Sequence, residues 1–377
     1  MKNDFMTIFQ KLKGGIFKEK QRPQKRNKYM EDILVAIVLV LIIRFFIISA
    51  YKIPSGSMED SLLIGDFLLG GKFVYGAPIP YTDKKLPGLK KINPGDILIF
   101  KAPHDPLKDY IKRCVAVAGQ TVEIKDKVLT VDGVPFPNPP FSKYEDPQIY
   151  SVGQSQRDNY GPVRIPKAGD TLMLNRNDTS FVGNIPFEYW ALLIHQENNR
   201  LISNDPFVFL SKLLNPIFRL NKKENKVEVN KAIYIDSALN NNIRRPVNHP
   251  DLLRLDHQLR LFKQQYPNRS VRVENSLYYN GEYLERYVVK HDNYFMMGDN
   301  RDNSQDSRWW GFLNENLVIA KPIIIYWSWE SERDYYATSS AVNPLAIVLS
   351  LIREVGGNIF NGGLIINPRW SRVLKII

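Results

Sequence analysis

Cysteine is all but absent: Cys114 is the only one in 377 residues, so no disulfide can close within the chain. It lies in the alternating run Tyr110-Ile-Lys-Arg-Cys-Val-Ala-Val, which predicts a small packed core residue rather than a reactive thiol. Histidine is scarce as well. His104, His195, His249, His257 and His291 have no metal-ligand spacing with cysteine, glutamate or one another, so neither a metal nor another cofactor is expected. No Gly-x-Ser-x-Gly elbow occurs, which argues against the usual serine-hydrolase layout. Repeats are also missing; Asn93-Pro-Gly-Asp and Lys167-Ala-Gly-Asp read as two similar turns. The net charge of +12 comes without basic–aromatic interleaving, so a membrane surface explains it better than nucleic acid, and no nucleic-acid partner is expected.

What is present begins with the apolar run Ile33 to Tyr51, about the length needed to cross a bilayer's hydrocarbon core. The expectation is one uncleaved transmembrane helix over 32–51. Residues 1–31 hold nine Lys/Arg against three acidic residues, which predicts a cytoplasmic basic arm with everything after Tyr51 outside. Phe5, Ile8, Phe9, Leu12 and Ile16 recur at helical spacing, so the arm reads either as lying on the anionic inner leaflet or as a disordered tail. Arg44 inside the run has to snorkel to a headgroup. A second apolar run over 344–352 is too short to span.

Beyond the run the chain reads as short strands: 96–101, 110–117, 121–125, 128–131, 171–174 and 323–329, parted by Gly/Pro turns. That pattern predicts a mainly β, antiparallel domain. Residues 135–271 differ. Asn221–Lys226 and Asn240-Asn-Asn242 read as polar loop, and 252–266 has helical periodicity, so this stretch reads as an inserted second lobe. The organisation is then 52–134 as the first part of a catalytic β domain, the insertion, and 272–377 as the second part with a C-terminal segment.

The candidate chemistry lies in a Pro-, Gly- and Ser-rich turn just after the run, Ile53-Pro-Ser-Gly-Ser-Met58. A serine nucleophile with no evident histidine needs another base, and lysine serves once burial makes its charge costly. Lowering a lysine from about 10.4 to about 8 costs roughly 3 kcal/mol, which a packed β domain can sustain. Lys112 is the candidate: its neighbours are Tyr110, Ile111 and Cys114, with Asp109 the acidic residue close by in sequence.

Ser55-Gly-Ser-Met58, Ile64-Gly-Asp66, Pro94-Gly-Asp-Ile-Leu-Ile-Phe100, Tyr110-Ile-Lys-Arg-Cys-Val115 and Gly298-Asp-Asn-Arg-Asp-Asn-Ser-Gln-Asp-Ser-Arg308 closely resemble, in order, the motifs of type I bacterial signal peptidases. Asn159-Tyr-Gly-Pro to Leu174 and Arg369-Trp-Ser-Arg372 add weaker likeness. The resemblance implies a two-lobed antiparallel β-sheet fold with a Ser-Lys dyad. Carried over, Ser57 is the acylated nucleophile, Lys112 the general base and Ser55 a side-chain donor of the oxyanion hole. Ser304 orients the lysine, while Asp306 and Arg308 form a supporting ion pair. Ile53, Pro54, Met58, Leu62, Leu68, Tyr110 and Ile111 align with residues lining shallow apolar pockets, which implies cleavage after small-x-small sites. One departure stands out: Glu59-Asp60-Ser61 replaces a common proline before threonine, predicting a looser turn after the nucleophile.

The implied activity is removal of signal peptides from exported preproteins at the outer face of the bacterial inner membrane. Membrane lipid and the protein-export machinery are the implied partners. Three alternatives stay open: a self-cleaving repressor, against which the apolar run argues, a pilin- or conjugation-type maturation peptidase, and a catalytically silent membrane-anchored binding protein.

Overall fold

The computed structural model describes residues 28–79, 85–150, 157–174, 187–198, 225–247, 262, 265–330 and 367–377. The basic arm before residue 28, the 344–352 run and most of the 252–266 stretch lie outside them. The chain divides into two compact units, 1–44 and 45–377.

Helix α1 spans Lys28–Phe46, with Glu31 in its first turn and Arg44 in its last, each charge suited to its end of the helix dipole. This corrects the expected span over 32–51. The apolar run does not stay helical, because Ile48–Lys52 is a strand. Between Asp32 and Arg44 only Ile33 to Ile43 remain apolar, about 16 Å at 1.5 Å per residue against a core of about 30 Å. No helix among the described residues is long and apolar enough to cross a membrane. Ile33, Val35, Ile37, Val38, Leu39, Val40, Ile42 and Ile43 along it are nevertheless exposed, while Phe45 near its end is buried.

The principal sheet is antiparallel and holds β1 (Ile48–Lys52), β2 (Asp66–Gly71), β3 (Ile97–Ala102), β4 (Asp105–Ala116), β5 (Asn293–Met297), β6 (Leu313–Asn314) and β7 (Val318–Glu330). Their order is β1-β2-β7-β3-β4-β5-β6, and the short strands β8 (Asn367–Pro368) and β9 (Lys375–Ile376) pair with β7. Register sets Leu98 opposite Lys112 and Cys114 opposite Met296. Alternation along β4 sends Tyr110, Lys112 and Cys114 to one face and Ile111 and Arg113 to the other. Cys114 is fully buried, and burial pushes its thiol well up, so it is inert packing.

Two cores follow from this alternation. A smaller one gathers Tyr51, Ile53, Met58, Leu62, Leu68, Ile99, Ala320 and Ile325 beneath the β1–β2 loop. Complete burial of Leu62 and Leu68 contributes about 1.5–3 kcal/mol each. The larger core joins β3, β4 and β5 to a helix, Phe187–Asn198, whose Trp190 ring lies 5.1 Å from that of Phe312. Part of the expected insertion therefore shares the core of the principal sheet.

Three further antiparallel sheets complete the described fold. Residues 121–125, 128–131, 134–135 and 160–164 form one; 171–173 with 286–288 form a ribbon. The third holds 227–235, 238–246, 271–279 and 282–283, so Asn240-Asn-Asn242 is strand, contrary to the polar-loop reading. Its hairpin turns at Asp236-Ser237, both at positive φ (49° and 70°), the geometry that matches strand twist in two-residue turns. Residues 238–246 form an edge strand and are mostly exposed, so the sequence there needs no apolar alternation.

Candidate active site

Ser57 lies in a 3-10 turn, Gly56–Met58, within the loop joining β1 to β2. The neck of that loop is closed by Ile53 N–H to Asp66 O (2.9 Å) and Gly65 N–H to Ile53 O (3.1 Å). Inside it, Leu62 N–H reaches Met58 O at 2.7 Å. Glycine is required at 65: φ is +88°, and a Cβ would come within 2.2 Å of the Trp329 carbonyl oxygen.

Lys112 projects from β4 to within 2.6 Å of Ser57 Oγ, and its Nζ also donates to Ile111 O at 3.1 Å. The two side chains are buried, Ser57 at 8% and Lys112 at 4% exposure. Loss of hydration lowers Lys112 to about 8, against the opposing pull of Asp306 and Asp299. The Tyr110 ring lies 5.4 Å from its Nζ. Ser55 Oγ stands 3.5 Å from Ser57 Oγ on the exposed side. Among the described residues, Ser57 Oγ has these two hydroxyl and amine neighbours and no histidine; His104 instead meets the Tyr110 hydroxyl at 3.3 Å.

The Gly298–Arg308 loop packs against the serine from behind. Asn300 N–H donates to Ser57 O at 3.2 Å. A Cβ at Gly298 would sit 2.3 Å from Ser304 Oγ and 2.5 Å from Ser57 O, so only glycine permits this approach. Asp306 and Arg308 are both fully buried and doubly bonded, Nε to Oδ1 at 2.9 Å and Nη2 to Oδ2 at 2.8 Å. Burial opposes ionisation of Asp306, but the Arg308 guanidinium and the Gly298 N–H hold its carboxyl below the ordinary range. Ser304 Oγ is buried beside this carboxylate and makes no hydrogen bond of normal geometry, including none to Lys112.

The residues expected to line substrate pockets separate into groups. Ile53, Met58, Leu62 and Leu68 are core, with Ile111 packed on them; Tyr110 packs on the larger core, and Pro54 is exposed. Two networks escaped the sequence reading. Arg113 grips Asp299 through both oxygens (2.8 and 2.7 Å), and Asp299 also accepts from Ser61 Oγ at 2.5 Å. Asp66, fully buried, accepts from Ser328 Oγ (2.6 Å), Leu63 N–H (2.8 Å) and Arg372 Nη2 (2.6 Å). Arg369 meanwhile donates to Ile64 O at 2.8 Å. The motif Ile64-Gly-Asp66 and the tail Arg369 to Arg372 were each visible in the sequence; nothing there paired them. A buried neutral amine held on a hydroxyl can take its proton as that oxygen attacks a carbonyl carbon, and a second hydroxyl alongside can donate to the oxyanion that forms on the carbonyl oxygen.

What matches this chain is a peptidase family. Its description is signal peptidase, peptidase S26, and the match covers residues 26–188 and 219–327; the chain belongs to that family. A signal peptidase I of Buchnera aphidicola subsp. Acyrthosiphon pisum (strain APS) is 28% identical, over 89% of this chain and 87% of that one. One from Aquifex aeolicus (strain VF5) is 27% identical, over 93% of this chain and 98% of its own length. A crystal structure of a signal peptidase I from Enterococcus faecalis V583 aligns at 14% identity over 62% of this chain and 98% of that one, with a TM-score of 0.21, too loose a superposition to inform the fold.

Proposed function

We propose that the chain is a serine endopeptidase that removes N-terminal signal peptides from exported preproteins through a Ser57/Lys112 dyad. The observation that carries this reading is the 2.6 Å contact between Ser57 Oγ and a desolvated Lys112 lowered to about 8. With Nζ neutral, its lone pair takes the Ser57 proton as Oγ attacks the scissile carbonyl carbon. The Ser55 hydroxyl, with the Ser57 N–H, stabilises the oxyanion. The Lys112 ammonium then protonates the leaving amine, leaving the signal peptide as an ester on Ser57. Water, deprotonated by the restored amine, hydrolyses that ester. Asp306, held by Arg308, anchors the Gly298 N–H and with it the loop behind the serine.

Substrate choice follows from shape. Ile53, Met58, Leu62 and Leu68 are packed into the core beneath the Ser57 loop and give way little, so a small side chain before the cut fits against them more readily than a bulky one. Membrane attachment belongs to the same proposal: the exposed apolar side chains of α1 meet lipid. Purified protein in detergent should cut a model exported precursor after a small-x-small site, and Ser57→Ala and Lys112→Ala should each abolish cutting while circular dichroism stays unchanged. Near-normal turnover by Lys112→Ala would overturn the dyad.

A further inference from the structure

The turn after Ser57 holds no proline: Glu59, at φ −53°, would accept a ring and has none, and Asp60, at φ +71°, stands in a state that proline cannot adopt. The turn after Ser57 is therefore not pre-set by a ring, and contacts must hold it. Those contacts come from residue 143, in the stretch inserted between the two parts of the catalytic sheet. Lys143 Nζ lies 3.3 Å from Glu59 Oε2, 3.3 Å from Asp60 Oδ2 and 3.3 Å from Glu145 Oε1. Its backbone is fixed on the loop behind the serine: Lys143 N–H donates to Asp299 O and Lys143 O accepts from Arg301 N–H, both at 2.9 Å. Between these two bonds lies Asn300, fully buried. Its Nδ2 donates to Glu59 Oε2 (3.2 Å) and Glu145 Oε1 (3.0 Å), while its N–H holds the carbonyl of Ser57 itself.

We infer that Lys143 is a positioning residue for the nucleophile, strapping Glu59 and Asp60 so that Ser57 stays in line with Lys112. The inference rests on the proposed peptidase reading for its kinetic consequence, not for its structural one. Lys143 touches no reacting atom; it acts through the turn. Its ion pairs are partly exposed, so added salt weakens them.

The test uses the full chain in detergent, cutting a signal-peptide-bearing precursor at low and high salt. Lys143→Met should lower kcat roughly tenfold with KM held within about twofold, because misplacing the attacking atom costs rate rather than binding. Lys143→Arg should restore most of the loss. The wild-type kcat should fall as salt rises and that of Lys143→Met should not. Independently of cleavage, hydrogen exchange at the Glu59 and Leu62 amides, bonded to Gly56 O and Met58 O, should quicken in Lys143→Met. A wild-type kcat in Lys143→Met, a loss confined to KM, failure of arginine to rescue, or unchanged exchange would each overturn the inference. If wild-type protein cuts no precursor, the peptidase reading falls, and exchange alone decides whether the strap holds the turn.

Discussion

A lysine with its amine among apolar side chains pays for its reactivity in hydration, and Lys112 shows where that cost appears. Its conjugate acid is lowered from 10.5 to about 8, so the amine is neutral above that pH and charged below it. The rate of precursor cleavage should therefore climb with pH to a plateau, with a midpoint near 8 and about 1% of the plateau left at pH 6. A midpoint near 6.5 would instead indicate histidine. Because the folded state binds this proton more weakly than the unfolded chain, the destabilisation is complete below about 8 and gone above 10.5. Lys112→Met should consequently be inactive yet more stable at pH 7, by about 3 kcal/mol in urea melts, with the gain shrinking as pH rises. The apolar neighbours of Lys112 in sequence agree with its burial, but the acidic residue close by in sequence, Asp109, is not one that acts on it. Asp109 is three positions away, an odd offset on a strand, so it faces the other way and pairs with Lys101 at 2.7 Å. The acids that face Lys112, Asp299 and Asp306, are almost two hundred positions distant and could not be found by proximity in sequence.

At the scale of elements, the short tail 367–377 and the β1–β2 loop form one assembly. Arg372 bonds Asp66 through Nε and Nη2 and the Ser61 carbonyl through Nη2, and Leu374 N–H meets Ile325 O. The carboxylate is fully buried and the guanidinium nearly so, which makes removal of one partner costly. Arg372→Ala should lose about 3 kcal/mol of stability in denaturant melts, since it strands a buried charge. A loss under about 0.5 kcal/mol, the range of ordinary surface changes, would show that Ser328 and the Leu63 amide suffice to hold Asp66. Strands with β-branched or aromatic alternation, such as 121–125 and 128–131, were legible residue for residue. The strand at 238–246 was not: its ladder partner supplies what Asn240 to Asn242 lack, and local propensity yields to pairing. The apolar run was read past its end for a related reason. Helix and edge strand are both apolar there, and hydropathy does not mark the change at Ile48.

For the whole molecule, the packing of helix 187–198 into the principal core decides how the chain unfolds. Trp190 and its neighbours contact residues of β6 and the segment before it, so this helix and the principal sheet bury one another. Unfolding in urea should proceed as one transition, with tryptophan fluorescence, far-ultraviolet dichroism and peptidase activity lost together. Separate transitions would mean that the insertion stands on its own core.

The bond between Arg372 and Asp66 joins residues 306 positions apart. A contact so distant along the chain closes late, because the entropy of the intervening loop must be overcome before the bond repays it. During synthesis, Ser57 and Lys112 emerge long before Arg372 does. The newborn polypeptide thus holds both residues of the proposed dyad while the loop that carries Ser57 is still unclasped, and that loop is set only once Arg372 has been made and has closed on Asp66.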